Sequence, residues 1–170
     1  MDAVEFIRSL AASTREWRER ALQYLQEEGC NDLAYRPKSG MSSIGWLLAH
    51  QGAAYDYVLN ILISGRQPKN PDLFFSYRGD SNDPGDWSGT SLQEINEYFD
   101  TVESDFLTWL EHAADDELNR MLEGPETPQY FRGKRVIDAV ADMFAHLNHH
   151  NGHLNAIKGD WYQQKGNLQS

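Results

Sequence analysis

The segment from Ile44 to Ile63 constrains the fold more than any other part of the chain, because it is apolar on nearly every side. Ser42 and Ser43 precede it and are good helix caps, and Gly65 follows it. A helix without a polar face is stable only when other elements cover it on several sides. The sequence therefore predicts a buried helix with the rest of the chain packed around it.

Three other segments have the periodicity of amphipathic helices. In each of them apolar residues recur at steps of three and four, with charged residues between them. The segments are residues 3–28, 92–110 and 135–158. Ser91 and Glu94 have the spacing of a capping box at the start of the segment 92–110. Gly159 is expected to end the segment 135–158. Four helical segments of this kind indicate an all-α protein.

Two stretches rich in helix breakers connect these segments. Residues 66–90 contain three prolines and three glycines, which predicts a long surface connection rather than a helix. Residues 115–132 predict a second irregular loop, with a short extended piece at 129–131. The predicted fold is a four-helix bundle with a long crossover connection between helices 2 and 3. We expect one domain over residues 1–162 and a loose polar tail at 163–170.

The charge balance disfavours two classes of partner. Asp and Glu total 26 against 15 Lys and Arg, which gives a net charge of −11. Basic residues are scattered, so neither nucleic acid nor an anionic membrane surface is an expected partner. The chain starts with acidic residues where a secretory signal would be basic, and its single cysteine, Cys30, has no second cysteine to pair with. We therefore expect a cytoplasmic location, with Cys30 in a structural role.

Five of the six histidines fall in two predicted helices: His50 in the second, and His146, His149, His150 and His153 in the fourth. At about 100° per residue, His150 lies roughly 30° and His146 roughly 70° from the centre of the apolar face of the fourth helix. The other two lie closer to its polar side. The spacing thus predicts an inward-facing pair of imidazoles one turn apart, with His149 facing solvent.

Two interpretations of these histidines are open from the residues alone. In one, His50, His146 and His150 are buried neutral imidazoles, each with its own hydrogen-bond partner. In the other, the three rings share one cation, which satisfies them together. Three histidines directed into one small bundle make the second interpretation as good as the first.

The residues around these histidines resemble a known family. The stretch 43–50, SIGWLLAH, and the stretch 146–154, HLNHHNGHL, are similar to the DinB-like superfamily of bacterial metal-binding four-helix bundles. That family typically has one histidine on its second helix and the pattern H-x-x-x-H-x-G-x-I/L on its last. By this match His50, His146 and His150 take the three ligand positions. His153 stands where the family often has Gln, and it either offers a fourth nitrogen or lies on the surface.

The resemblance also implies a function. Three neutral nitrogens with an open fourth position are typical of a catalytic site that holds one divalent metal ion, with zinc or nickel favoured and iron as a further candidate. Such an ion activates water or a thiol, which suggests a hydrolase or a transferase or isomerase that uses low-molecular-weight thiols. The alternative is a non-catalytic metal-binding module or a module that forms a homodimer, for which the wide apolar second helix would provide a surface.

Each of the other candidate residues near the histidines has two possible roles. Asp142, one turn before His146, would accept the second N–H of that ring or would be a solvated acid, and Asp56 is a weaker candidate of the same kind. Aromatic residues at helical spacing either line a pocket or belong to the core. These are Trp46, Tyr55 and Tyr57.

Overall fold

The computed structural model describes residues 2–30, 32–37, 41–79, 87–124 and 127–168. Within these ranges the protein is helical without a strand, and its only bridge pairs Met121 with Arg135. The predicted all-α class is confirmed. The α-helices are α1 (Ala3–Glu27), α2 (Ile44–Asp56), α3 (Pro71–Tyr77), α4 (Leu92–His112), α5 (Asp115–Asn119) and α6 (Val136–Leu168).

Helix α2 is the buried centre of the molecule, as its sequence predicts. Its N-terminus is capped by the Ser43 hydroxyl, which accepts a hydrogen bond from the Trp46 backbone N–H at 3.3 Å. The helix packs against α3, α4 and α6. Gly52 allows the close approach of α4, because a Cβ at this position would lie 2.9 Å from the ring of Tyr98. None of the described helices is long and apolar enough to cross a bilayer.

A buried amide fixes the rotation of α6 relative to its neighbours. The Asn151 side chain donates to the backbone carbonyl of Thr14 on α1 at 3.0 Å and accepts from the Gln51 amide on α2 at 3.0 Å. Asn148 donates to the Thr14 hydroxyl, also at 3.0 Å. Because these bonds link three helices, they hold one particular face of α6 against α2. His150 precedes Asn151 and is also buried toward α2, with its ring centroid 4.9 Å from that of His50.

The α2 helix continues as a π-helix over Tyr57–Ile63, hereafter the π segment. The junction is held by the fully buried carboxylate of Asp56. It accepts hydrogen bonds from the Tyr98 hydroxyl at 2.6 Å, the Asn60 amide at 2.8 Å and the Lys69 backbone N–H at 2.9 Å. Asp56 is therefore a structural residue and not a partner of a histidine, which corrects that reading of the sequence. Nothing in the sequence pattern predicts the π segment.

The prediction of a connection without a helix over residues 66–90 is wrong, because α3 lies within it. Asn70 caps α3 by accepting from the Leu73 N–H at 3.1 Å, and Pro71 occupies the first turn, where a missing N–H costs nothing. Phe74 and Tyr77 are buried and hold the helix against α2. The run at 80–86 lies outside the described residues, and the crossover topology stays a prediction.

Two further boundaries differ from the prediction. The loop at 115–132 contains α5, and residues 129–131 form a turn rather than an extended piece. We expected helix α6 to end at Gly159, but it continues through this residue to Leu168. The reason is tertiary: Trp161 donates to the Glu28 carbonyl at 3.2 Å, and Asp160 accepts from the Tyr35 hydroxyl at 2.8 Å. These contacts stabilise helix beyond the glycine. The proposed domain limits at 162 and 163 stay a prediction.

Candidate metal centre

The structure brings the three predicted ligands together at the interface of α2 and α6. The Nε2 atom of His146 lies 2.7 Å from Nε2 of His50 and 3.1 Å from Nε2 of His150. All three candidate ligand atoms lie within 4.8 Å of one another. Residues almost a hundred positions apart therefore present their nitrogens to one point, which is the arrangement that a single cation requires.

His50 is oriented by two neighbours. Its Nδ1 donates to the backbone carbonyl of Tyr77 at 2.6 Å, and its ring stacks on Trp46 with a centroid distance of 4.2 Å and an interplanar angle of 14°. The bond to the carbonyl assigns the proton to Nδ1, so Nε2 carries the lone pair. A carbonyl that holds the second nitrogen of a ligating imidazole is the usual outer partner in metal sites.

The three rings have hydrogen-bonding needs that the protein does not meet by itself. Nε2 of His146 faces the lone pair of His50 and Nε2 of His150 at the same time. One ring nitrogen has either a proton or a lone pair, so neutral rings satisfy at most one of these two contacts. A cation shared by the three nitrogens would accept a lone pair from each. The donor set therefore fits a metal ion better than it fits an imidazole cluster.

Burial keeps these imidazoles in the neutral form that binds metals. Desolvation, opposed by the bond to the Tyr77 carbonyl, lowers the pKa of His50 to about 4. Desolvation together with the neighbouring histidines lowers the pKa of His150 to about 2, and desolvation also lowers the pKa of His146. His50 and His150 are only 8% and 6% exposed, whereas His146 is exposed.

A cavity of about 410 Å³ adjoins the histidines. His50 and His146 form part of its wall, which explains why His146 is accessible. The volume is within the range of small-molecule sites, roughly 300–1,000 Å³. The remaining lining comes mainly from α2, the π segment, α6 and the turn before α6: Ala53, Ala54, Tyr57, Val58, Arg78, Tyr130, Phe131, Asp142 and Met143.

The other histidines of α6 lie outside the cluster. His149 is exposed, as its position on the helical wheel predicts. His153 is partly buried and packs on His149 with a ring-centroid distance of 4.2 Å, while its centroid lies 5.7 Å from that of His150. The group of candidate ligands in the described residues does not include it. Of its two readings, the structure favours the one that places His153 at the surface.

Asp142 does not fix the tautomer of His146, and that reading is corrected. Its carboxylate accepts from the Lys134 ammonium at 2.6 Å and from the Tyr130 hydroxyl at 3.3 Å. The side chain therefore turns toward the loop before α6. The acid still lines the cavity, so its charge and that of Lys134 form a pair at the cavity edge.

Of the aromatic residues Trp46, Tyr55 and Tyr57, one belongs to the core and two lie at the site. Tyr55 is fully buried and packs on Phe99 and Phe106, which places it in the core. Tyr57 lines the cavity, and Trp46 stacks on His50. Cys30 is buried, in agreement with a structural role.

Sequence reasoning missed three contributors to the site. The Tyr77 carbonyl is a backbone group, so no residue pattern could indicate it. Arg78 and Tyr130 come from connections whose conformation the sequence left open. The buried Phe74 and Tyr77 at helical spacing after Asn70-Pro71 were the one available signal for α3.

Comparison with known proteins gives the family. The model of the DinB superfamily matches residues 11–154, which include the three histidines. None of the curated proteins compared with the chain matches it. With the match extending over most of its length, the chain belongs to the DinB superfamily.

Proposed function

We propose that this protein is a metal-dependent enzyme that holds one divalent cation through Nε2 of His50, His146 and His150. The observation that carries the proposal is the convergence of these nitrogens beside a cavity large enough for a small molecule, with His50 and His146 in its wall. Imidazole ligands favour zinc or nickel, with iron as a further candidate. The proposed substrate is a small molecule, with low-molecular-weight thiols among the co-substrates that the family resemblance suggests.

A divalent ion with three neutral nitrogen ligands and a free position lowers the pKa of water or a thiol, which supports hydrolysis or thiol-dependent transfer or isomerisation. The residues of this chain prepare the site for such chemistry. The Tyr77 carbonyl and the Trp46 ring hold His50 in one orientation. Apolar side chains line much of the cavity, so a substrate bound against them would displace water, which would strengthen electrostatic interactions there.

The cavity also favours an enzyme over a purely structural or dimerising module. A structural zinc site is closed by four protein ligands, whereas the cluster found among the described residues offers three, and one of them is exposed. A cytoplasmic location and a homodimer stay predictions from the sequence.

The test compares two histidines that are adjacent in sequence. His150→Ala removes a buried member of the cluster, and His149→Ala removes an exposed ring outside it. Protein made without an affinity tag is loaded with zinc or nickel, and its metal content is measured by elemental analysis. We expect about one metal per chain for the wild type and for His149→Ala, and little for His150→Ala.

Activity is then measured on the same three proteins with esters, amides and thiol conjugates. Metal-dependent turnover that persists in His149→Ala and disappears in His150→Ala supports the proposal. Full metal content in His150→Ala contradicts the ligand assignment. A wild type that is fully loaded and inactive toward all three substrate classes favours the non-catalytic module instead.

A further inference from the structure

The cavity beside the histidines is apolar on its buried side. Ala53 and Val58 contribute from α2 and the π segment, and Met143 contributes from α6. Aromatic rings complete the lining, with Tyr130 at 64% exposure on the solvent side and the ring of Phe131 6.0 Å from that of Tyr57. Such a lining favours a ligand with an apolar or aromatic body.

The charged groups of this cavity are not balanced. The carboxylate of Asp142 already has a cation, because Lys134 lies 2.6 Å from it. Arg78 lines the same cavity, and no carboxylate in the described part of the chain forms an ion pair with it. Its guanidinium instead lies over the ring of Phe75, 4.7 Å from the centroid. In a protein with a net charge of −11, a cation at a cavity that has no acidic partner among the described residues indicates a binding group for an anion.

The charge of Arg78 also acts on Tyr57, another residue that lines the cavity. Desolvation raises the pKa of the Tyr57 hydroxyl, and the positive charge of Arg78 opposes that rise. The two side chains are therefore close enough to interact while both line the cavity. An anionic group bound at Arg78 would also lie near a tyrosine hydroxyl that can donate a hydrogen bond.

We infer that the substrate of this site has an apolar or aromatic body and one carboxylate, which pairs with Arg78. The inference rests on the proposed function, because it gives a substrate class to the same cavity. His50 and His146 line that cavity too, so a ligand anchored at Arg78 lies alongside the metal ligands. The planar guanidinium matches a carboxylate in a two-point contact. One such cation, in a cavity that the Asp142 carboxylate also lines, suits one negative charge better than the two charges of a phosphate monoester.

The experiment measures the affinity of phenylacetate and of its neutral analogue phenylacetamide by calorimetry. Both are titrated into zinc-loaded and chelator-treated protein, because a carboxylate can also bind a metal ion directly. We expect the wild type to prefer phenylacetate by about tenfold in both states. Arg78→Gln should remove that preference in the chelator-treated protein and leave the affinity for the amide unchanged. The matched control is Arg66→Gln, which removes the same charge from an exposed position outside this cavity and should keep the preference.

Each outcome separates this inference from the proposed function. A preference that requires zinc and survives Arg78→Gln means that the carboxylate binds only the metal, which overturns the inference and leaves the metal site intact. Equal binding of acid and amide overturns it as well, as does tighter binding of phenyl phosphate than of phenylacetate. A preference that depends on Arg78 in a protein that binds no zinc supports the ligand class and refutes the proposed metal function.

Discussion

Asp56 and His50, two of the buried polar residues of helix α2, differ in how far the protein satisfies their hydrogen-bonding groups. The carboxylate of Asp56 accepts hydrogen bonds from the Tyr98 hydroxyl, the Asn60 amide and the Lys69 backbone N–H, so the protein satisfies it. His50 donates one hydrogen bond, to the Tyr77 carbonyl, and its other nitrogen faces a second imidazole nitrogen at 2.7 Å. A saturated network stabilises a fold, whereas an unsaturated one has capacity left for a ligand. This difference indicates that the Asp56 network stabilises the fold, whereas the histidine cluster is suited to binding a ligand.

The largest expected effect comes from removing the Asp56 carboxylate, whose hydrogen bonds are all satisfied. Asp56→Ala leaves the Tyr98 hydroxyl and the Asn60 amide buried without an acceptor, and should lower the free energy of unfolding by about 3–5 kcal/mol. Urea denaturation measures the loss. The control is Asp105→Ala, which removes a surface ion pair with Lys69 and should cost under about 1 kcal/mol. A cost for Asp56→Ala no larger than that of the control would contradict the structural role of the network.

The next largest effect is expected from zinc binding at the histidine cluster. Zinc at about 100 times its dissociation constant should raise the free energy of unfolding by about 2.7 kcal/mol, because it binds only the folded protein. The gain should be absent in His150→Ala and present in Asp105→Ala. Urea denaturation with and without zinc provides the measurement. A stability that does not respond to zinc or to chelation would mean that the histidines are ordinary core residues.

A pH dependence follows from the lowered pKa of His150. The unfolded chain takes up a proton on this histidine below about pH 6.5, while the folded protein resists protonation because the ring is buried. The unfolded state therefore binds more protons, and the metal-free protein loses stability as the pH falls from 7 to 5. His150→Ala should lose about 2 kcal/mol less than the wild type over this interval. Urea denaturation at the two pH values checks this, and identical losses in both proteins would contradict a buried neutral imidazole.

The smallest effect tests how α3 supports the metal centre. Asn70→Ala removes the cap of α3, which should cost about 1 kcal/mol of stability and loosen the carbonyl of Tyr77. Zinc affinity should then fall about three- to tenfold, since the outer partner of His50 is less well fixed. Ser91→Ala removes the cap of α4 at a similar cost and provides the matched control, with zinc affinity unchanged. Competition with a fluorescent chelator measures the affinity. Equal losses in the two variants would mean that α3 has no specific role at the site.

The orientation of the histidines on α6 was predictable because helical spacing encodes direction. The apolar face of α6 was enough to orient His146 and His150 inward and His149 outward, and the apolar neighbours of His50 on α2 indicated that it is buried. The assignment of the three histidines to ligand positions came from the resemblance to the DinB-like superfamily. The N-terminus of α4 at Ser91 was predictable for a similar reason, since a capping box is a local interaction.

The partners of the ligands were not predictable, because they come from distant segments. Asp142 is one turn from His146 yet binds Lys134, whose position depends on the loop before α6. The role of Tyr77 depends on a backbone carbonyl and on a helix hidden among prolines. Helix α6 passes Gly159 because Trp161 finds a partner near the end of α1. In each case tertiary contacts outweighed the local signal.

X-ray absorption at the zinc edge tests the central claim most directly, on tag-free protein loaded with one equivalent of zinc. The account predicts a first shell with three imidazole nitrogens at about 2.0–2.1 Å and one further light atom. His149→Ala should keep this spectrum, and His150→Ala should lose the imidazole signature or the bound zinc. A wild-type spectrum with no imidazole scattering, or one that His150→Ala leaves unchanged, would contradict the convergence of the three histidines on a single ion.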